Sequence, residues 1–287
     1  MVRIMDSALI SSFQRDGWVL VPDAVEKKLI DDAREALRTF YPSYDELDRS
    51  PDDYPWVTDG QFGGLRLWPV DDLSLDLLPL NEVIVTIAES LAGSTDLRLL
   101  RAGYQVKYGG TVDYTQVLHF DYPNHSLVVP SDNDIIGFFL YLSDVTAEVG
   151  PTMLVSDTVR GPLLADRTHL WSTDDGPEIY AAEQAAIGPA GSLLAYRSTT
   201  YHRGSAMTAP RGVRLTLGFS YGRPAPWTGF QSFPRLGEEP GLIQAVAAST
   251  PRQRALLGFP PPGDPYWTPE SLAAVARRYP GFNPSDY

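Results

Sequence analysis

His119, Phe120 and Asp121 put an imidazole and a carboxylate two residues apart. On an extended strand, side chains i and i+2 point to the same face, so His119 and Asp121 would aim at one point while Phe120 faces away. On a helix the same pair would diverge. An extended placement therefore offers two of the three ligands of a two-His-one-carboxylate site, the arrangement that holds non-haem Fe(II) in oxygenases. The chain has no cysteine, so disulfides, thiolate metal sites and cysteine nucleophiles are excluded. Any metal must be held by His, Asp or Glu. The remaining histidines are His125, His169 and His202. His125 follows Pro123-Asn124 and is expected beyond the strand, at the rim. His169 falls in a polar stretch, 156–186. His202 is expected to end a strong strand, 191–201, just before a glycine turn, where a ligand can reach the mouth of a barrel. The plainer alternative for His202 is a strand-end histidine with no ligand role.

The stretch Val213 to Tyr221 alternates cleanly. Val213, Leu215, Leu217, Phe219 and Tyr221 share one face, and Arg214, Thr216, Gly218 and Ser220 the other. In an ordinary sandwich the polar face would be wet and Arg214 a surface charge. In a barrel with a polar metal pocket it faces the pocket, where an arginine grips a carboxylate in bidentate fashion and Thr216 adds a second donor. A ferrous oxygenase that draws electrons from 2-oxoglutarate needs this arrangement. The keto acid chelates iron through its C1 carboxylate and C2 carbonyl, and its distal carboxylate needs a cationic anchor.

The elements that must position these residues are legible in part. A short helix is expected over 6–16, a strand over 18–21, and a clearer helix over 24–40, where Val25, Leu29, Ala33, Ala36, Leu37 and Phe40 recur at helical spacing. Residues 41–79 read as irregular, with Tyr44, Tyr54, Trp56, Phe62 and Trp68 either lining a pocket or pinning the loop to the core. A helix over 80–92 ends at Gly93. From 97 onward the pattern turns to short strands: 97–108 (one strand or a pair), 119–121, 135–142, 152–155, 191–201 and 213–221, with a helix near 178–186. Two more helices are expected near 240–257 and 269–278. The whole reads as mainly β with flanking helices around a double-stranded β-helix, a cupin-like jelly roll. One oxygenase domain is expected over 1–287: helical support and aromatic loop over 1–96, jelly-roll core over 97–222, helical extension over 223–287.

Composition narrows the partners. The chain has 287 residues, 43% of them hydrophobic, enough for a sizeable core. A formal net charge of −13 argues against nucleic acid or an anionic membrane surface as a partner. The longest apolar run, Ile135 to Leu142, falls far short of a membrane span. The start MVRIMDSALISSF has no long apolar core, so a cytoplasmic location is expected.

Four places in the chain resemble the phytanoyl-CoA dioxygenase-like family of Fe(II)/2-oxoglutarate oxygenases. They are Phe13-Gln14-Arg15-Asp16-Gly17-Trp18-Val19, His119-x-Asp121, Gly150-Pro151-Thr152-Met153-Leu154, and Gly191-Ser192-Leu193-Leu194-Ala195-Tyr196 followed by His202 and Arg214. The resemblance implies Fe(II) on His119, Asp121 and His202, with O2 and 2-oxoglutarate as cosubstrates. It implies Arg214 and Thr216 as the 2-oxoglutarate anchor, Arg214 being preferred over Arg211, which sits in the Ala209-Pro210 turn. Gln105 and Phe139 would flank the cosubstrate, with Lys107 a weaker candidate. Plainer roles stay open: an edge-strand polar face for Gln105 and Lys107, and core for Phe139. The chain departs from the family at Val155-Ser156-Asp157-Thr158 and at Arg203-Gly204-Ser205-Ala206-Met207. The expected activity is hydroxylation, or desaturation or cyclisation, of a small organic molecule such as a secondary metabolite or lipid. Related halogenases replace the carboxylate with Gly or Ala, so Asp121 argues against halogenation. The alternatives are a cupin-like isomerase or hydrolase using another divalent metal, and a non-catalytic ligand-binding jelly roll; an inward-facing Arg214 separates the first reading from both.

Overall fold

The computed structural model describes residues 6–58, 63–110, 114–121, 135–160, 170–174, 176–223 and 240–287. His125 and His169 lie outside them, as does Phe62. Two antiparallel sheets make the body. The larger contains β1 (Trp18–Val21), β2 (Arg66–Leu67), β3 (Arg98–Tyr108), β5 (Ile135–Tyr141), β9 (Leu193–Arg197) and β11 (Val213–Gly222), in the order β1-β9-β5-β11-β3-β2. The smaller contains β4 (Leu118–His119), β6 (Thr152–Leu154), β7 (Leu170–Trp171), β8 (Gln184–Ala186) and β10 (His202–Gly204), in the order β7-β4-β10-β6-β8. This is the expected jelly roll, with two sheets facing one another and helices outside the larger one.

Alternation along β11 decides how the larger sheet divides inside from outside. Leu217, Phe219 and Tyr221 are buried on the outer face with Leu37 of α2 (Lys27–Leu37), Ile84 and Ile87 of α6 (Glu82–Ala92), and Leu242 and Val246 of the C-terminal region. The inner face carries Arg214, Thr216, Gly218 and Ser220, opposite Lys107, Gln105, Gly103 and Arg101 of β3 in register. Both faces of β11 are therefore buried, one against helices and one against the smaller sheet. Local signals set the helix ends. Asp6 caps α1 (Ser7–Asp16) by accepting from the Ala8 N–H at 3.0 Å, and Gly17, at φ 78°, closes it.

Several expected boundaries differ. Residues 41–79 contain α3 (Tyr44–Arg49), α4 (Pro55–Thr58) and α5 (Leu73–Asp76); the Ser43-to-Glu46 capping box starts the first of these and is a signal the Pro and Gly around it obscured. The aromatics there mostly pin the segment: Trp68 is buried and donates from Nε1 to the Asp76 carbonyl at 2.9 Å, and the Tyr44 hydroxyl reaches the Gly109 and Pro210 carbonyls. Residues 98–108 form one strand, not a pair. The helix expected near 178–186 is only Pro177–Ala181 (α8, after the turn-long α7 at Asp157–Arg160), because Gln184–Ala186 pairs with β6 as β8. The strand expected over 191–201 stops at Arg197, and His202 begins a separate strand in the other sheet. The helix expected over 240–257 is two, α9 (Pro240–Ala248) and α10 (Pro251–Leu256), because Thr250 and Gln253 build a capping box that starts the second; α11 (Pro269–Arg278) follows. Among the described residues, no helix is long and apolar enough to cross a membrane.

Phe138 is fully buried on the outer face of β5 and stacks on Phe219 with ring centroids 5.2 Å apart. Phe138→Ala is expected to lower unfolding free energy by about 3–5 kcal/mol, the cost of a large core cavity. Leu67→Ala, at a side chain 57% exposed, should stay within about 0.5 kcal/mol. Denaturant unfolding of both variants measures the difference.

Candidate metal centre

β4 and β10 are antiparallel neighbours, and their register pairs His119 directly with His202. Side chains directly opposite on paired strands sit side by side on one face; the two imidazole centroids are 4.5 Å apart. Asp121 lies just past β4, where its N–H donates to the Ser198 carbonyl at 2.8 Å. Phe120 turns the other way and packs edge-on against Tyr201, centroids 5.1 Å apart, in a small cluster with Leu118, Val155 and Ile179. The i, i+2 reading of His119 and Asp121 thus describes where these side chains point, although the regular strand ends at His119.

The ring nitrogens are sorted by their partners. His119 Nδ1 lies 2.7 Å from the Val117 carbonyl and His202 Nδ1 lies 3.0 Å from the Thr200 carbonyl. A carbonyl only accepts, so each Nδ1 carries the proton and each Nε2 presents a lone pair. His119 Nε2 is 3.8 Å from Asp121 Oδ1, and His202 Nε2 is 3.6 Å from Asp121 Oδ2. The three ligand atoms lie within 4.8 Å of one another. Burial pushes the His202 pKa down to about 4, against the opposing pull of Asp121, so this imidazole is neutral at ordinary pH. Two imidazoles and a carboxylate, with backbone carbonyls orienting the rings, fit a divalent first-row ion.

A cavity of about 340 Å³ opens between the sheets at this cluster, lined among others by His119, Asp121, His202, Arg214, Gln105 and Phe139. Arg214, 7% exposed, donates from Nη1 to the Gly150 carbonyl. Gly150 sits at φ 69° and a Cβ there would be 2.6 Å from the Ser205 carbonyl oxygen, so the turn that offers this carbonyl requires glycine. Thr216, on the same face, is buried, and its hydroxyl has no hydrogen-bond partner among the described residues. Arg211 is on the surface, paired with Asp45 and stacked over Tyr44. The structure therefore brings His119, Asp121, His202, Arg214, Gln105 and Phe139 to one cavity and keeps Arg211 out.

Lys107 is not in the cavity wall. It is 1% exposed, and its ammonium donates to the carbonyls of Tyr114 at 2.7 Å and Ser205 at 2.8 Å and lies over the Tyr114 ring. Those carbonyls belong to the segments just before β4 and just after β10, so Lys107 ties both ligand strands to β3. Two further residues at the site were not anticipated. Arg101 Nη2 is 3.5 Å from Asp121 Oδ2, and the Tyr196 hydroxyl is 3.3 Å from the same oxygen. The alternation that places Gln105 and Lys107 on one face continues to Gly103 and Arg101, and would have found Arg101. Tyr196 was hidden in an apolar run. Burial, reinforced by Asp121, pushes its phenol far above the ordinary range, so it remains a donor.

The Phytanoyl-CoA dioxygenase (PhyH) family model matches residues 13–214, a span that contains the three clustered side chains and ends at Arg214. The chain belongs to this family. Solved structures share its fold. SnoN, an epimerase crystallised with Fe3+, alpha ketoglutarate and nogalamycin RO, is 19% identical over 82% of this chain and 90% of its own, with a TM-score of 0.59. SnoK, an alpha ketoglutarate dependent carbocyclase from nogalamycin biosynthesis, is 18% identical over 81% and 90%, also at 0.59. HygX from Streptomyces hygroscopicus, solved with nickel and 2-oxoglutarate, is 16% identical over 77% and 88%, at 0.55. No curated protein sequence matches the chain.

The His202 environment predicts a pH response of the metal-free protein. The unfolded chain takes up this proton near 6.5 and the folded one near 4, so stability is lost as pH falls between those values. NMR titration should place the His202 midpoint well below 6.5; a midpoint at or above it contradicts the buried, neutral assignment.

Proposed function

We propose that this chain is a non-haem Fe(II)/2-oxoglutarate-dependent dioxygenase acting on a small organic molecule. His119, Asp121 and His202 would hold the metal, and Arg214 with Thr216 would anchor the distal carboxylate of 2-oxoglutarate. The observation that carries this reading is the inward placement of Arg214, a buried guanidinium in the wall of the cavity that also contains the His-Asp-His cluster. A cupin-like isomerase or hydrolase has no use for that cation, and a simple binding protein has no use for the pairing of cation and metal set.

When bound, Fe(II) with 2-oxoglutarate and O2 supplies the oxidising power; the side chains bind and orient. The Gly150 carbonyl steadies one arm of the Arg214 fork and aims it. The buried Thr216 hydroxyl offers a donor with no competing protein partner among the described residues. Gln105, half-buried across from Thr216, offers an amide to the cosubstrate, and Phe139 supplies an apolar wall. The sheets on both sides keep bulk water from the reacting centre. No side-chain general base is needed.

Asp121 favours hydroxylation, desaturation or cyclisation over halogenation, because a carboxylate occupies the position that a halogenase leaves open for chloride. For the substrate, the cavity lip supports an organic molecule with an apolar body. Leu65 and Leu67 are exposed there, and both border a lobe that Phe139 and Tyr196 also line. The named molecules of the structural relatives, nogalamycin RO and hygromycin B, are small molecules too.

The test is Fe(II)-dependent conversion of 2-oxoglutarate to succinate under O2. His119→Ala should abolish it. Arg214→Ala should raise the 2-oxoglutarate half-saturation by about tenfold or more, since a charge-assisted hydrogen bond contributes about 1.5–3 kcal/mol. Arg211→Ala should change it by less than about twofold, as befits an exposed ion pair. Equal effects of the two arginine substitutions would contradict the assignment.

A further inference from the structure

The geometry points to Tyr196 and Arg101 as positioning residues that, through Oδ2, hold the Asp121 carboxylate in the rotation at which it faces the two imidazoles. This rests on the proposed metal-dependent function and extends it to residues outside the ligand set. Both side chains converge on one oxygen, from β9 and β3, at 3.3 Å and 3.5 Å.

Each is placed by a specific feature of the larger sheet. The Tyr196 ring fills the space over Gly137, where a Cβ would lie 2.5 Å from it. The register pairs these two residues across β9 and β5. Phe139 stacks on the other part of the ring, centroids 5.8 Å apart at 17°, and His202 lies 4.4 Å away. The phenol is thus clamped between the inner face of β5 and a candidate ligand, with its hydroxyl delivered to the carboxylate. Arg101 is set by a register step: Ser220 pairs with Arg101 but Tyr221 with Leu99, so Leu100 is an extra residue. Such bulges re-aim side chains beside functional sites. Arg101 reaches Asp121 from the cavity edge, its side chain 44% exposed.

A ligating carboxylate holds a metal best when outer partners have already set its rotation. A hydrogen bond from the Tyr196 hydroxyl and an ion pair with Arg101, both on Oδ2, fix the carboxylate rotation. Simple electrostatics runs the other way, since removing a cation from beside a metal site should tighten metal binding. The direction of change therefore separates positioning from charge.

The experiment uses Co(II) as the probe, titrated into the full-length protein, reading both the dissociation constant and the visible d–d bands. Tyr196→Phe and Arg101→Gln are each expected to weaken Co(II) binding by roughly ten- to a hundredfold, the usual effect of losing an outer partner of a ligand, and to shift the bands. Arg101→Lys should restore most of both. If Tyr196→Phe does not fold, the half-exposed Arg101 decides the matter. Wild-type affinity and bands in both variants, or tighter binding in Arg101→Gln, would overturn the inference while leaving the metal site itself intact. A wild-type protein that takes up no Co(II) would overturn the proposed function, and this inference with it.

Discussion

The pairing of β4 with β10 is the constraint on which the rest depends. Each strand is very short, yet their register sets His119 beside His202, and two backbone carbonyls turn both lone pairs toward one point. Strands this short have little stability of their own. They are held from behind: Lys107 bonds the carbonyls flanking both strands, and Asp121 is tied through its N–H to the turn after β9. A buried ammonium is costly unless its donors are satisfied. Here it is satisfied by backbone that must be fixed for the site to exist.

The larger sheet performs two tasks on its two faces. Its outer face is apolar and carries the helices, which supply the hydrophobic stabilisation. Its inner face carries Arg101, Gln105, Lys107, Arg214 and Thr216, residues that a stability-driven core would avoid. The smaller sheet covers all of them but Arg101, which lies at the cavity edge. Polar groups in this low-dielectric space interact strongly with one another and with any charged ligand. Stability and binding are therefore separated across one layer of backbone, so each face can serve one end.

The jelly roll and the cavity were largely legible in the sequence because strict alternation encodes which way a side chain points. Val213 to Tyr221 showed it clearly, and Arg214 followed from it. The i, i+2 rule likewise located His119 and Asp121. What failed was anything set by long-range pairing. That His202 opens a new strand, rather than ending the one before it, depends on β4 and β6 lying on either side. Gln184–Ala186 looked helical because its partner strand, β6, is joined to it only in space. Lys107 shares a face with Gln105, yet local sequence says nothing of the two carbonyls that claim it. Arg101 obeys the alternation and could have been found; Tyr196 could not, since its role depends on the space left by Gly137.

The central claim is that one cluster of His119, Asp121 and His202, facing Arg214, binds Fe(II) and 2-oxoglutarate together. Anaerobic optical titration tests it most directly. Adding 2-oxoglutarate to the Fe(II)-loaded protein should produce the weak visible charge-transfer band of the chelate, and His119→Ala should lose that band. No band in the wild-type protein, or an unchanged band in His119→Ala, would contradict the account.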